Sequence, residues 1–179
     1  LLARRRAVQG GALSPLFYAE PLDIVRGEGP WLIARDGRRY LDGYNNVAVV
    51  GHSHPSVVQA ITRQAAVLHT HSRYLHPNVI ELAERLVASM PPGSGLDTCL
   101  FATSGTEANE LAWRLAVEYH REATTPGARP GAIVGSNAYH GSSRQLADLS
   151  SNEWPPGYRP VGVATVDGPV QEPSRLTRA

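Results

Sequence analysis

Two short stretches carry residues whose types and spacing suit chemistry. In Thr103-Ser104-Gly105-Thr106-Glu107 an apolar run stops and a helical pattern begins. Ser104 with Glu107 three residues later has the form of a capping box, in which the two side chains satisfy orphan backbone donors at a helix start. The same start has a second use. Free N–H groups and the positive end of the helix dipole suit an anion, Gly105 lets it approach the backbone, and Thr106 adds a hydroxyl donor. A phosphate would fit there, and because the GxxxxGK[ST] pattern is missing it would not be that of a P-loop nucleotide. The second stretch is Asn137-Ala138-Tyr139-His140-Gly141, which follows the next predicted strand. Ligands of open parallel sheets gather at the carboxyl ends of strands, so Tyr139 is placed to stack on a planar ring whose phosphate reaches the helix start. The plain alternative is a half-buried tyrosine with a satisfied hydroxyl.

Both stretches depend on the elements that carry them. The segment Leu96 to Ser136 reads as strand, turn, helix, strand: "TCLFAT", then "GTEANELAWRLAVEYHREA", a Pro- and Gly-bearing loop, and "GAIVGS". That order predicts a βαβ unit with a parallel sheet. Within its helix Ala108, Leu111, Ala112, Leu115 and Ala116 form an apolar stripe suited to packing on that sheet. Upstream, "WLIARDGRRYLDG" predicts a β-hairpin about Asp36-Gly37. Pro55 and Pro77 suit first helical positions, and the apolar residues after each recur at helical spacing. The stretch up to Leu13 has little pattern and is expected to be irregular. "VGVATV" predicts one more strand, followed by an unstructured tail. No internal repeat or low-complexity tract is visible.

The composition bounds the chemistry. The 179 residues suffice for one folded unit or part of one, with 42% hydrophobic and 18% charged residues and a net charge of +1. That balance gives no reason to expect nucleic acid or membrane as a partner. Cys99, the single cysteine, lies in an apolar run and is expected to be a buried thiol in a reducing, cytoplasmic setting. The opening "LLARRRAVQGG" lacks an apolar stretch long enough for a signal peptide. All 17 basic residues counted as Lys+Arg are arginine, so no lysine amine is present.

Five histidines invite a metal reading, since His52 and His54, His69 and His71, and His76 cluster in the sequence and paired His-x-His can chelate zinc. No carboxylate stands nearby as an obvious third ligand or base, and histidines that satisfy backbone or interface hydrogen bonds are the simpler account; no metal is expected. A serine hydrolase is disfavoured because Ser104 sits in Thr-Ser-Gly-Thr and not in a G-x-S-x-G elbow.

Taken together, "YLDGYNNVAVVGHSHPSVVQAI", "FATSGTEANELAWRLA" and "NAYHG", in this order and spacing, resemble the N-terminal part of class-III aminotransferases, pyridoxal-phosphate enzymes of fold type I. The resemblance runs from about Pro21 to about Pro160. "YNNVAVVGHSHP" and "HSRYLHPNVIELAERL" look most like the branch with ethanolamine-phosphate phospho-lyases and alanine-glyoxylate aminotransferase relatives. It implies an α/β fold: a small α+β segment over 1–70, with hairpin and helix, then over 71–179 the incomplete start of a mainly parallel three-layer cofactor-binding domain. It also implies pyridoxal 5'-phosphate as cofactor, with Ser104, Gly105 and Thr106 at its phosphate, Tyr139 on its pyridine ring and His140 alongside. Asn46 and Arg73 are substrate-side candidates.

The implied reaction moves an amino group between an amine or amino acid and a 2-oxo acid. Elimination from a phosphorylated amino alcohol is the alternative, and a non-catalytic cofactor- or subunit-binding remnant is a third. Family members are homodimers, so the residues near Asn45, Asn46 and His71 to Tyr74 are expected to face a second subunit. The family's Schiff-base lysine and pyridine-nitrogen aspartate follow the Tyr-His-Gly motif, in sequence beyond Ala179, and a truncated, catalytically incompetent chain is the expectation. One departure bears on substrate: acetylornithine-type members have arginine directly after His-Gly, whereas Ser142 stands here and Arg144 comes two positions later.

Overall fold

The structure, a computed structural model, describes residues 1–10, 16, 18–44, 48–123 and 130–168. These group into two compact units, Leu1–Leu75 and His76–Ala179.

In the first unit, helix α1 (Leu2–Val8) precedes a three-stranded antiparallel sheet of β1 (Ile24–Glu28), β2 (Trp31–Ala34) and β3 (Arg39–Leu41), in that order. The expectation of an irregular start is therefore corrected: Leu1 to Val8 holds no Gly or Pro, and its arginines and alanines are good helix formers. The hairpin between β2 and β3 forms as predicted, pairing Trp31 with Leu41 and Ile33 with Arg39. Its turn is tied by Asp36, which accepts from the Arg38 backbone N–H at 3.0 Å and from the Arg38 guanidinium at 2.6 Å. β1 adds to β2 with a register shift between Ile24 and Arg26. His52 lies so close to β1 that a Cβ on Gly27 would sit 2.6 Å from its Cβ, and only glycine leaves that room. Helix α2 (Pro55–Val67) follows, opened by Pro55.

The second unit begins with helix α3 (Pro77–Ala88), also opened by proline. Long helix α4 (Gly105–Ala123) comes next, then β4 (Ala132–Gly135), a short helix α5 (Arg144–Ala147), a 3-10 turn at Ser151–Glu153 and β5 (Val163–Val166). β4 and β5 pair in parallel, Ala132 with Val163 through Gly135 with Val166.

Here the sequence reading needs two corrections. No strand forms over "TCLFAT", because a strand is stabilised by its cross-strand neighbour and this stretch has no ladder partner among the described residues. The parallel pair is therefore one strand later than expected. The face of α4 turned to the core is also rotated from the predicted stripe: Trp113 packs on the core, while Leu115 is 54% exposed.

The core of this unit is small and local. Val134, Leu146 and Leu149 are buried together, with Trp113, Ala132, Ala138, Trp154 and Val163 packed around them. A bulky indole anchors the far side, since Trp154 Nε1 donates to Ala147 O at 3.1 Å. Cys99 is only partly buried, contrary to expectation, with its Sγ 3.7 Å from Ala83 O.

Candidate functional site

The start of α4 is capped as its sequence predicts, with one difference. Ser104 Oγ accepts from the Glu107 N–H at 3.1 Å. The Glu107 carboxylate, however, reaches one residue further back than the usual box: it accepts from the Thr103 backbone N–H at 2.8 Å and also from the Thr103 hydroxyl. These bonds, the hydroxyl first, hold the Glu107 carboxyl below its ordinary pKa. With Ser104 as cap, Gly105 and Thr106 form the first two positions of the helix, where backbone N–H groups have no intrahelical partner. A Cβ built on Gly105 would meet nothing within 4 Å, so the approach to this end is open.

The loop after β4 packs onto the same helix start. Gly141, at φ +135°, approaches so closely that an added Cβ would lie 2.8 Å from Thr106 Oγ1 and 3.1 Å from Thr106 Cα. One turn into α4, Asn109 Nδ2 donates to His140 O at 2.8 Å. The loop that carries Tyr139 thus meets the start of α4 through His140 and Gly141, and Tyr139 itself is 56% exposed. Behind them a cavity of about 320 Å³ between α4 and β4 is lined by Asn109, Trp113, Val134 and His140, among others.

Two residues that the sequence reading missed hold this loop. Fully buried Ser150 accepts from the His140 N–H at 3.0 Å, and its hydroxyl lies 3.0 Å from Gly141 O and 2.9 Å from Leu146 O. Ser151 Oγ accepts from the Ala138 N–H at 2.9 Å and donates to Gly135 O at 2.5 Å. Nothing in "DLSSNEW" marks these serines, because their partners in the Tyr139 loop lie 9 to 16 residues back in the chain. Asn109 had a faint signal, standing one turn after Gly105 on the same helix.

The remaining candidates belong to other parts of the chain. Arg73 lies in the first unit, exposed, with its backbone N–H donating to His71 Nδ1 at 3.1 Å. Asn46 lies outside the described residues, as do Asn45 and the tail from residue 169. Several histidines have local structural partners: His52 Nε2 is 2.7 Å from Asp42 Oδ2, His71 stacks on Tyr74 at 4.7 Å, and His76 Nδ1 caps α3 by accepting from Asn78 N–H at 3.3 Å. Among the described residues no three His, Cys, Asp or Glu side chains group as a metal site. Arg144 opens α5, whose cap Ser143 accepts from the Leu146 N–H at 3.4 Å.

Comparison with known proteins shows the family to which the chain belongs. The aminotransferase class-III family matches residues 17–160. Alanine-glyoxylate aminotransferase 2-like of Drosophila melanogaster is 41% identical over 141 residues, covering 78% of this chain and 27% of that protein. Ethanolamine-phosphate phospho-lyase homolog 1 of Caenorhabditis elegans is 35% identical, covering 84% of this chain and 30% of its own length. Among solved structures, a phospholyase from Arthrobacter in complex with phosphoethanolamine superposes with a TM-score of 0.78 at 39% identity, over 94% of this chain and 37% of that one. An amine transaminase from an uncultivated Pseudomonas species, solved with pyridoxal phosphate bound, superposes with a TM-score of 0.69 at 27% identity, over 90% and 40%. The chain belongs to the class-III aminotransferase family, with the fold of type I pyridoxal-phosphate enzymes. Pyridoxal phosphate is the cofactor of that family.

The residues present fit that group. An open helix start supplies donors for a dianionic phosphate, and an exposed aromatic ring stands on a loop fixed to the same helix.

Proposed function

We propose that the start of α4 and the Tyr139 loop form the phosphate and ring halves of a pyridoxal-phosphate site, within an enzyme that transfers amino groups between an amine or amino acid and a 2-oxo acid. The observation that supports the reading is the close approach of Gly141, two residues after Tyr139, to Thr106 at the start of α4. The N–H groups of Gly105 and Thr106, with the Thr106 hydroxyl, would hold the phosphate; Ser104 borders it while capping the helix. Tyr139 would cover the ring, and His140 is held beside it through Asn109.

When bound, the cofactor supplies an electron sink for cleavage at the substrate α-carbon. The contribution of these residues is binding and orientation. The helix dipole offsets phosphate charge, and the fixed loop limits how the ring can tilt. With no lysine among the 179 residues, no side-chain amine here can form the Schiff base, so this chain by itself is expected to bind without turnover.

A second reading is favoured by a specific observation. The Arthrobacter phospholyase superposes with a TM-score of 0.78 and was solved with phosphoethanolamine, and Ser142 replaces the arginine that follows His-Gly in acetylornithine-type members. Elimination from a phosphorylated amino alcohol is therefore the alternative reaction.

Titration of the purified chain with pyridoxal phosphate, followed by tryptophan quenching, tests the site. Saturable binding that inorganic phosphate competes away is expected, and Tyr139→Ala should weaken it about tenfold, in the range for loss of one stacked ring. Borohydride treatment and peptide mapping should find no side-chain adduct. Binding that neither phosphate nor Tyr139→Ala alters would overturn the assignment.

A further inference from the structure

The backbone on both sides of Tyr139 is tied by side chains that come from one pair of adjacent residues. Before it, Ser151 Oγ bridges Gly135 O and the Ala138 N–H at 2.5 and 2.9 Å, and Ala138 O accepts from the Asn152 N–H at 3.1 Å. After it, Ser150 Oγ takes the His140 N–H at 3.0 Å and lies 3.0 Å from Gly141 O. His140 O is held by Asn109. Ser150 is completely buried, so water cannot substitute for its hydroxyl without a cavity opening. The tyrosine side chain, in contrast, is more than half exposed. A loop whose frame is fixed and whose aromatic residue is left open is built to present that residue.

We propose that Ser150 and Ser151 are a paired positioning clamp, which sets Tyr139 in place for a planar phosphorylated ligand before the ligand arrives. The inference rests on the cofactor reading above, because it needs Tyr139 to face the ring. It adds that the ring platform is made by the protein alone. A preset platform avoids the ordering cost that a mobile loop would incur on binding. The phosphate half of the site has its own supports in Ser104 and Glu107, so the clamp should affect recognition of the ring and leave recognition of phosphate untouched.

The test uses amide hydrogen exchange in the ligand-free full chain, with titrations of pyridoxal phosphate and of inorganic phosphate. Slow exchange at His140 and Ala138 is expected in the parent. Ser150→Ala should speed exchange at His140, and Ser151→Ala at Ala138, each by about tenfold, the size expected for loss of a buried hydrogen bond. Each should weaken pyridoxal phosphate several-fold while leaving phosphate affinity unchanged. Ser151→Thr, at a half-buried position, should restore both. Should Ser150→Ala not fold, the Ser151 pair carries the test by itself. Fast exchange at these amides in the parent overturns the clamp whether or not the cofactor binds. Slow exchange in a parent that binds no pyridoxal phosphate overturns the cofactor reading, and the ligand role of the clamp with it. Equal losses for pyridoxal phosphate and phosphate would show general loosening and also overturn the proposal.

Discussion

Glu107 fixes the start of α4 by accepting two hydrogen bonds from Thr103 while its own N–H reaches Ser104 Oγ. Both Thr103 bonds favour the charged carboxylate, so its pKa in the folded chain is below that in the unfolded chain. The stabilisation is therefore complete above the unfolded value and is lost as pH falls through the folded one. Glu107→Gln removes the charge, so the difference in melting temperature between parent and variant should be largest near neutral pH and shrink as pH falls through and below the ordinary carboxylate range. Asp36, also held below its ordinary value, first by the Arg38 backbone N–H, titrates in both proteins and cancels in the difference. A difference that stays constant over that range would refute the assignment. The Ser104 half of this cap was legible in the sequence because capping is local and the three-residue spacing specifies its contact with the Glu107 N–H, whereas the reach of the carboxylate back to Thr103 was not. Ser150 was not legible, because its role depends on a loop that returns to it only in the folded chain.

At the level of elements, the junction between α4 and the loop after β4 depends on Gly141. An alanine there would meet Thr106 Oγ1 at 2.8 Å and Leu146 Cδ1 at 2.9 Å, at a positive φ that side chains disfavour. Gly141→Ala should destabilise the second unit by about 2 kcal/mol, from strain and overpacking together. It should also lift the Tyr139 loop from the helix start, seen as faster exchange at the His140 amide. An unchanged denaturation midpoint would count against the close approach. The helices from Pro55 and Pro77 and the Asp36 turn were readable because proline, periodicity and turn chemistry act within a few residues. The strand expected over residues 98–103 was misread for the opposite reason. Its β-favouring composition is real, but pairing is a property of two segments, and propensity cannot supply the second.

For the molecule as a whole, the buried hydrophobic side chains among the described residues are Ala34, Val134, Leu146 and Leu149. Against these, Leu100 is 60% exposed, Phe101 50%, Ile133 78% and Leu75 95%. Most apolar residues of α2 and α3 are likewise exposed, with no buried position on either helix. A surface of this kind normally meets more protein. The chain spans 27% and 30% of the two relatives described above. We therefore expect the isolated 179 residues to associate: sedimentation velocity should show species heavier than the monomer that grow with concentration. A monodisperse monomer with one cooperative melting transition would contradict this.

The parallel pairing of β4 with β5 also imposes an order in time. Ala132 cannot find Val163 until the intervening chain has left the ribosome, and Ser150 and Ser151 emerge within that interval. At about 5–20 residues per second, the helix start at Gly105 is exposed for several seconds before its loop can close over it. During synthesis the start of α4 thus emerges before Ser150 and Ser151, the residues that fix the Tyr139 loop, and the two halves of the proposed site can meet only after both are out.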